Sequence, residues 1–206
     1  QAGVPLIIGN TSAEIGGGFV NFSNSKEELF SLFGDLENEA RSAYDPDGNK
    51  EFAEVITKFN TDWVWGEPGR LTAKTFVEKG VPAYMYLFSY VPAPMKERMR
   101  FGAGHGSEVS YVFKNLNARW GVSEVSTEDQ EVARMMNTYW ANFAKTGDPN
   151  GEGLPLWPAF QTKSSEIIEF QHDGSAVGKP DPRKMKLDVI EKAFKLRVAI
   201  QSRSGI

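Results

Sequence analysis

An α/β fold, a sheet layered by helices, is predicted by three features of this chain. Val4-Pro-Leu-Ile-Ile-Gly9 is a short apolar run ended by glycine, the pattern of a strand buried on both faces, as in a parallel sheet. Ala83 to Val91 is rich in aromatic residues and bounded by Pro82 and Pro92, which reads as a second strand. Around them apolar residues recur at helical spacing, so that strands alternate with helices.

Ser25-Lys-Glu-Glu28 is a capping box that opens a helix to about Phe33. Phe52, Val55, Ile56 and Phe59 repeat at helical spacing, and a third helix runs from Pro68 to Lys79, stopped by Gly80. Ser126-Thr-Glu-Asp129 caps the longest helix, with Val132, Met135, Met136, Tyr139, Trp140, Phe143 and Ala144 on one apolar face. Gly147-Asp148-Pro149 ends it. This stripe of aromatic residues and methionines is core rather than a cofactor site. Asp148 to Gln161, rich in glycine and proline, reads as a loop and not as a domain boundary. Glu166 to Phe170 and His172-Asp-Gly-Ser175 form a strand and a hairpin turn, and Leu187, Ile190, Phe194 and Val198 mark a final amphipathic helix.

A chain of 206 residues, 40% hydrophobic and 24% charged, can bury a sizeable core and is one domain or part of a larger one. Without cysteine it has no disulfide framework, no thiolate zinc site and no cysteine nucleophile. No apolar run reaches the roughly 20 residues of a membrane-spanning helix, and the first residues lack the basic region of a signal peptide. The chain starts at Gln1, close to an apolar run, and an upstream portion is expected elsewhere. Lys179 to Ile206 carries eight basic and three acidic residues, leaving a charge of −9 on the rest of a chain whose net charge is −4. These basic residues alternate with an apolar stripe, so they read as a solvated helix face and not as a nucleic-acid surface.

Only two histidines are present. His105 stands in Gly104-His-Gly-Ser-Glu108, where flanking glycines let a loop present its imidazole as a base; a structural histidine in a turn is the alternative. His172 lies in the hairpin turn and reads as a surface residue. A histidine base needs an acid to hold its tautomer. Glu14 is the natural candidate, at the carboxyl end of the first strand, where open α/β sheets place their sites. Glu108 is its rival, three residues from His105, and Asp62 and Asp148 are further alternatives. No Gly-x-Ser-x-Gly elbow supplies a nucleophile. Asp45-Pro-Asp-Gly-Asn49 imitates a calcium loop, but Lys50 replaces the glycine of its sixth position and Ile56 the glutamate of its twelfth, so it reads as a turn. Gly16-Gly-Gly18 lacks the spacing of a phosphate loop, and no histidine or cysteine pair has metal-ligand spacing.

These motifs, in this order, resemble the type-B carboxylesterases of the α/β-hydrolase superfamily, which includes the cholinesterases. Val4 to Gly9 followed by Glu14 is similar to that family's strand and acid loop. Thr61-Asp-Trp63, Pro68 and Pro82-Ala-Tyr-Met-Tyr-Leu-Phe88 are similar to its next helix and strand. Gly102-Ala-Gly-His105-Gly-Ser-Glu108 with Tyr111-Val-Phe113 resembles its histidine motif, and Asn142 to Asn150 with Trp157-Pro-Ala-Phe160 its long helix and the segment after it. Ala13-Glu14-Ile15 departs from the aspartate-glutamate-glycine often found at the acid.

The resemblance implies the carboxyl-terminal part of an α/β-hydrolase fold, with residues 1–206 as one portion of a single catalytic domain that is incomplete without its upstream part. It implies a serine ester hydrolase in which His105 is the general base and Glu14 the acid, with Glu108 supporting the pair and Phe19 and Gly18, beside Gly17, lining the substrate pocket. The expected partners are an amino-terminal portion carrying the serine and a small-molecule ester, with no metal, organic cofactor, nucleic acid or membrane span. Alone, the chain is expected to be inactive. The competing expectation is a noncatalytic, cholinesterase-like adhesion domain.

Overall fold

The structure, a computed structural model, describes residues 3–14, 23–116 and 125–204. Its strands are β1 (Leu6–Thr11), β2 (Ala83–Phe88), β3 (Glu166–Phe170) and β4 (Ala176–Pro180). Its helices are α1 (Lys26–Ser31), α2 (Glu37–Tyr44), α3 (Phe52–Thr61), α4 (Glu67–Glu78), α5 (Val109–Val112), α6 (Thr127–Thr146) and α7 (Lys184–Ser204). The chain divides into two compact units, Gln1–Glu14 with Gly69–Asp181, and Ile15–Pro68 with Pro182–Ile206.

The first unit holds a mixed sheet in the order β1-β2-β3-β4. β1 and β2 run parallel from Leu6 opposite Ala83 to Thr11 opposite Phe88. β3 joins β2 in parallel, and β4 returns antiparallel through the turn that ends at Gly174, whose φ is +84°. All six residues of β2 are buried, because both faces of the sheet are covered. Tyr84, Tyr86 and Phe88 pack with Val132, Met136 and Tyr139 of α6, and Ala83, Met85 and Leu87 pack with Ala73 of α4, Phe160 and Ile167.

β1 departs from expectation twice. It begins at Leu6, whose amide donates to the Pro82 carbonyl, because Pro5 has no N–H to contribute. Leu6 to Gly9 are half-buried, since β1 lies at the edge of the sheet among the described residues. A groove of about 450 Å³ runs beside it, lined by residues that include Leu6, Ile7, Ile8, Trp140 and Phe143.

Gly9 is required for packing: a Cβ there would overlap both the carbonyl and the ring of Tyr86. Gly9→Ala is expected to destabilise the protein by about 1–3 kcal/mol, as overpacking does. Denaturant melts measure this, and an unchanged midpoint would show that the Tyr86 ring yields without cost.

α6 carries the expected cap in full. Ser126 Oγ accepts from the Asp129 amide at 3.0 Å and Asp129 Oδ2 accepts from the Ser126 amide at 3.0 Å. Gly147 ends the helix at φ +79°. At 20 residues α6 is one shorter than α7. The loop after it is anchored by Trp157, which is fully buried between Tyr139 and Trp140 and whose indole N–H donates to the Met85 carbonyl.

In the second unit, Leu29, Phe30 and Phe33 pack with Val55, Ile56 and Phe59 of α3 and Val189 and Ile190 of α7. The capping box before α1 is only half formed: Ser25 Oγ accepts from the Glu28 amide, while Glu28 Oε2 accepts from Asn24 instead of Ser25. Several basic residues of α7 and its approach are paired: Arg183 with Asp62, Lys184 with Asp188, Lys192 with Glu39 and Lys195 with Glu191. In the first unit Lys179 pairs with Glu169.

The calcium-like loop is a turn closed by an ammonium group. Lys26 Nζ reaches Asp45 Oδ2 at 2.7 Å, the Gly48 carbonyl at 2.9 Å and the Lys50 carbonyl at 3.0 Å. Burial pushes the Asp45 carboxyl up, but hydrogen bonds from Lys26 and the Lys50 amide outweigh it and hold the group below its ordinary range. Its contribution to stability is therefore present above the unfolded value of about 3.9 and is lost as pH falls through the lower folded value. Lys26→Met should flatten this acid limb in denaturant melts between pH 6 and pH 2; an acid limb equal to wild type would rule the pairing out as its source.

Candidate active site

Two loops at the carboxyl ends of β1 and β2 meet in the first unit. β1 ends at the buried Thr11, and the chain turns so that Glu14 folds back: its Oε1 accepts from the Thr11 amide at 2.7 Å. β2 leads through Met95 and Met99 to Gly102, whose φ of +133° suits glycine. Ala103 follows, fully buried, and Gly104 forms an isolated parallel bridge with Ala13. Gly106, at φ +66°, turns the chain again and leaves His105 at the crest.

Glu14 Oε2 meets His105 Nδ1 across 91 residues of sequence. The carboxylate side chain is 5% exposed and the imidazole 65%. The acid is thus fixed beneath an accessible ring, the arrangement that holds a histidine in one tautomer and orientation.

Glu108, the rival acid, begins α5, where its carbonyl accepts from the amides of Tyr111 and Val112. It is Glu14 that engages Nδ1. Both carboxylates act on Tyr86, whose phenol is raised well above its ordinary pKa by burial first and by the charges of Glu108 and Glu14 next. Asp62 belongs to the second unit, where it accepts from the Tyr44 hydroxyl at 3.1 Å. Asp148 closes a turn by accepting from the Asn150 amide. His172 is exposed in the β3–β4 turn. Gly17, Gly18 and Phe19 lie outside the described residues.

Sequence reasoning missed a clamp behind the histidine loop. Besides capping α6, Asp129 Oδ1 accepts from the hydroxyls of Tyr90 at 2.9 Å and Tyr111 at 2.8 Å. Burial first, and the Asp129 carboxylate next, push both phenols above their ordinary range. The clamp ties α5, immediately after His105, to α6. Its only trace in sequence was tyrosine where phenylalanine would pack equally well, since a buried phenol needs a partner.

Among the described residues no cluster of three or more His, Cys, Asp or Glu could hold a metal ion, and no helix is long and apolar enough to cross a membrane.

The family model for the carboxylesterase family matches residues 4–190. Carboxylesterase 5A of Canis lupus familiaris is 45% identical over 108 residues, which cover 50% of this chain and 19% of that protein. Carboxylesterase 1C of Rattus norvegicus is 33% identical over 134 residues, 64% of this chain and 23% of that protein. The chain therefore spans about a fifth of the length of these curated relatives. Among solved structures, a PNB esterase superimposes with a TM-score of 0.67 at 26% identity, covering 92% of this chain and 38% of that one. The mixed four-stranded sheet with helices on both faces is accordingly part of an α/β-hydrolase fold. By the match of its family model over most of its length, the chain belongs to the carboxylesterase family.

Proposed function

We propose that this chain supplies the acid and the base of a serine carboxylesterase, as one portion of a single catalytic domain whose nucleophilic serine is contributed by an amino-terminal portion. One observation carries the reading: Glu14 and His105 meet through Nδ1, with the acid buried and the ring accessible, in a chain of the carboxylesterase family. With Nδ1 held by Glu14, Nε2 is the nitrogen that takes the serine proton as the serine attacks an ester carbonyl. Backbone amides stabilise the oxyanion. The imidazolium, balanced by Glu14, then protonates the leaving alcohol, and neutral His105 next activates the water that releases the acid. Glu108, at the N-terminus of α5 three residues after His105, supports the pair from behind the histidine loop. The groove beside β1 and the half-buried edge of that strand are where the amino-terminal portion completes the sheet.

Residues 1–206 alone lack a serine elbow and should not hydrolyse esters at an enzymatic rate. An organophosphonate that labels active serines tests the reading. The isolated chain should take no label, whereas the amino-terminal portion in the complete protein should be labelled at one serine. A complete protein that takes no label and turns over no ester would point instead to a noncatalytic interaction domain.

A further inference from the structure

The acid loop and the histidine loop are held together by more than the Glu14–His105 contact. The Ser12 amide donates to the Phe88 carbonyl at 2.9 Å, which continues the β1–β2 ladder by one step. The Ala13 amide then donates to the Ala103 carbonyl at 2.9 Å. The amide of Ala103 has an acceptor as well. A side chain supplies it: Ser12 Oγ accepts from the Ala103 amide at 3.0 Å. Ser12 is 8% exposed and Ala103 is fully buried, so water does not compete for this amide.

The spacing gives this bond its consequence. Glu14 lies two residues after Ser12, and His105 lies two residues after Ala103. The hydroxyl therefore fixes the separation of the two short arms that carry the acid and the base. We infer that Ser12 is a positioning residue that sets the distance and angle of Glu14 against His105 by latching the two loops through the Ala103 amide. The inference rests on the esterase reading for its effect on turnover, but not for its effect on the Glu14–His105 contact. Losing the acceptor leaves a buried N–H unsatisfied, and the loops relax apart to hydrate it. Displacement of a catalytic group by about 1 Å can cost on the order of 100-fold in rate.

The test uses the complete enzyme with Ser12→Ala, Ser12→Thr and Ser12→Cys, read by ester turnover and by the low-field proton resonance of the His105–Glu14 hydrogen bond. That resonance is identified by its loss in His105→Gln. Ser12→Ala should lower kcat by about 10- to 100-fold with little change in KM, and should broaden or abolish the resonance. Ser12→Thr, which keeps the hydroxyl, should restore both. Ser12→Cys fills similar space with a weak acceptor and should fall between them, which keeps the test decisive if Ser12→Ala does not fold. A folded Ser12→Ala protein with wild-type kcat and an intact resonance overturns the latch, as does equal loss in the Ala and Thr variants. If the resonance responds as expected while His105→Ala retains full ester turnover, the latch stands and the esterase reading fails.

Discussion

Replacing His105 with alanine in the complete enzyme is expected to lower kcat for ester hydrolysis by about 10⁴- to 10⁶-fold, with KM nearly unchanged. The physical reason, under the proposed mechanism, is that a serine hydroxyl is a weak nucleophile at neutral pH, and the imidazole would both take its proton and return it to the leaving alcohol. Substrate contacts made by the rest of the pocket survive, which is why binding is spared. The side chain sits at the crest of its loop and is 65% exposed, so its loss opens no cavity in the core, and the melting temperature should stay close to wild type. Steady-state kinetics on a chromogenic ester measure the effect, with His172→Ala, in the exposed β3–β4 turn, as the control. Undiminished turnover by a folded His105→Ala enzyme would end the assignment of this residue as the base.

Glu14→Gln should cost nearly as much, about 10³- to 10⁴-fold in kcat. The substitution is nearly isosteric. The amide oxygen can still accept from the Thr11 amide, as Glu14 Oε1 does at 2.7 Å, so the turn keeps its shape. The amide NH₂ then faces Nδ1 of His105, and two donors cannot share that contact. The ring responds by carrying its proton on Nε2, the nitrogen that has to accept the serine proton. A further loss follows from the missing charge, since the imidazolium formed during turnover no longer has a carboxylate beside it. Glu108→Gln serves as the comparison, because Glu108 is the other carboxylate near the histidine in sequence, whereas Glu14 is the one that meets Nδ1. If Glu108→Gln proves the more damaging of the two, the acid has been assigned to the wrong residue.

Legibility from sequence followed the range of the interactions. The period of Phe52, Val55, Ile56 and Phe59, the Ser126 cap and the Gly147 stop are local signals, and α3 and α6 form where they point. α2 went unread because only Ala40 and Tyr44 of its eight residues are buried, too few to show a period. The apolar composition of β1 predicts burial on both faces, and Leu6 to Gly9 are half-buried. Composition reports what a strand can bury and not whether a neighbour covers it, and β1 is an edge strand among the described residues. The calcium-like loop shows the same limit. Sequence showed that its ligand pattern fails, but not that Lys26, 19 residues away, closes it with an ammonium group.

At the site, sequence named both partners, since a glycine-flanked histidine and a glutamate at a strand end are legible one at a time. The residues alone make Glu14 the natural candidate, from its place at a strand end, and Glu108 its rival, from its spacing to His105; the family resemblance implies Glu14, and it is Glu14 that meets Nδ1 in the structure. Parallel pairing of β1 with β2 sets the ends of those strands side by side, and the Ala13 and Ala103 bonds carry that register into the loops beyond. By itself, then, the amino-acid sequence determined those helices and strands that carry a local period or cap, and the residue types able to do acid–base chemistry, all of which depend on neighbours within one or two turns of chain. Only the tertiary structure displayed the contact of Glu14 with His105 that the resemblance implied, and it alone decided that Asp129 clamps the tyrosines behind it and that Ser12 bonds the Ala103 amide. Those contacts span 91 residues for Glu14 and His105, 39 and 18 for Asp129 and its tyrosines, and 91 for Ser12 and Ala103; strand pairing and helix packing create them while no local period records them.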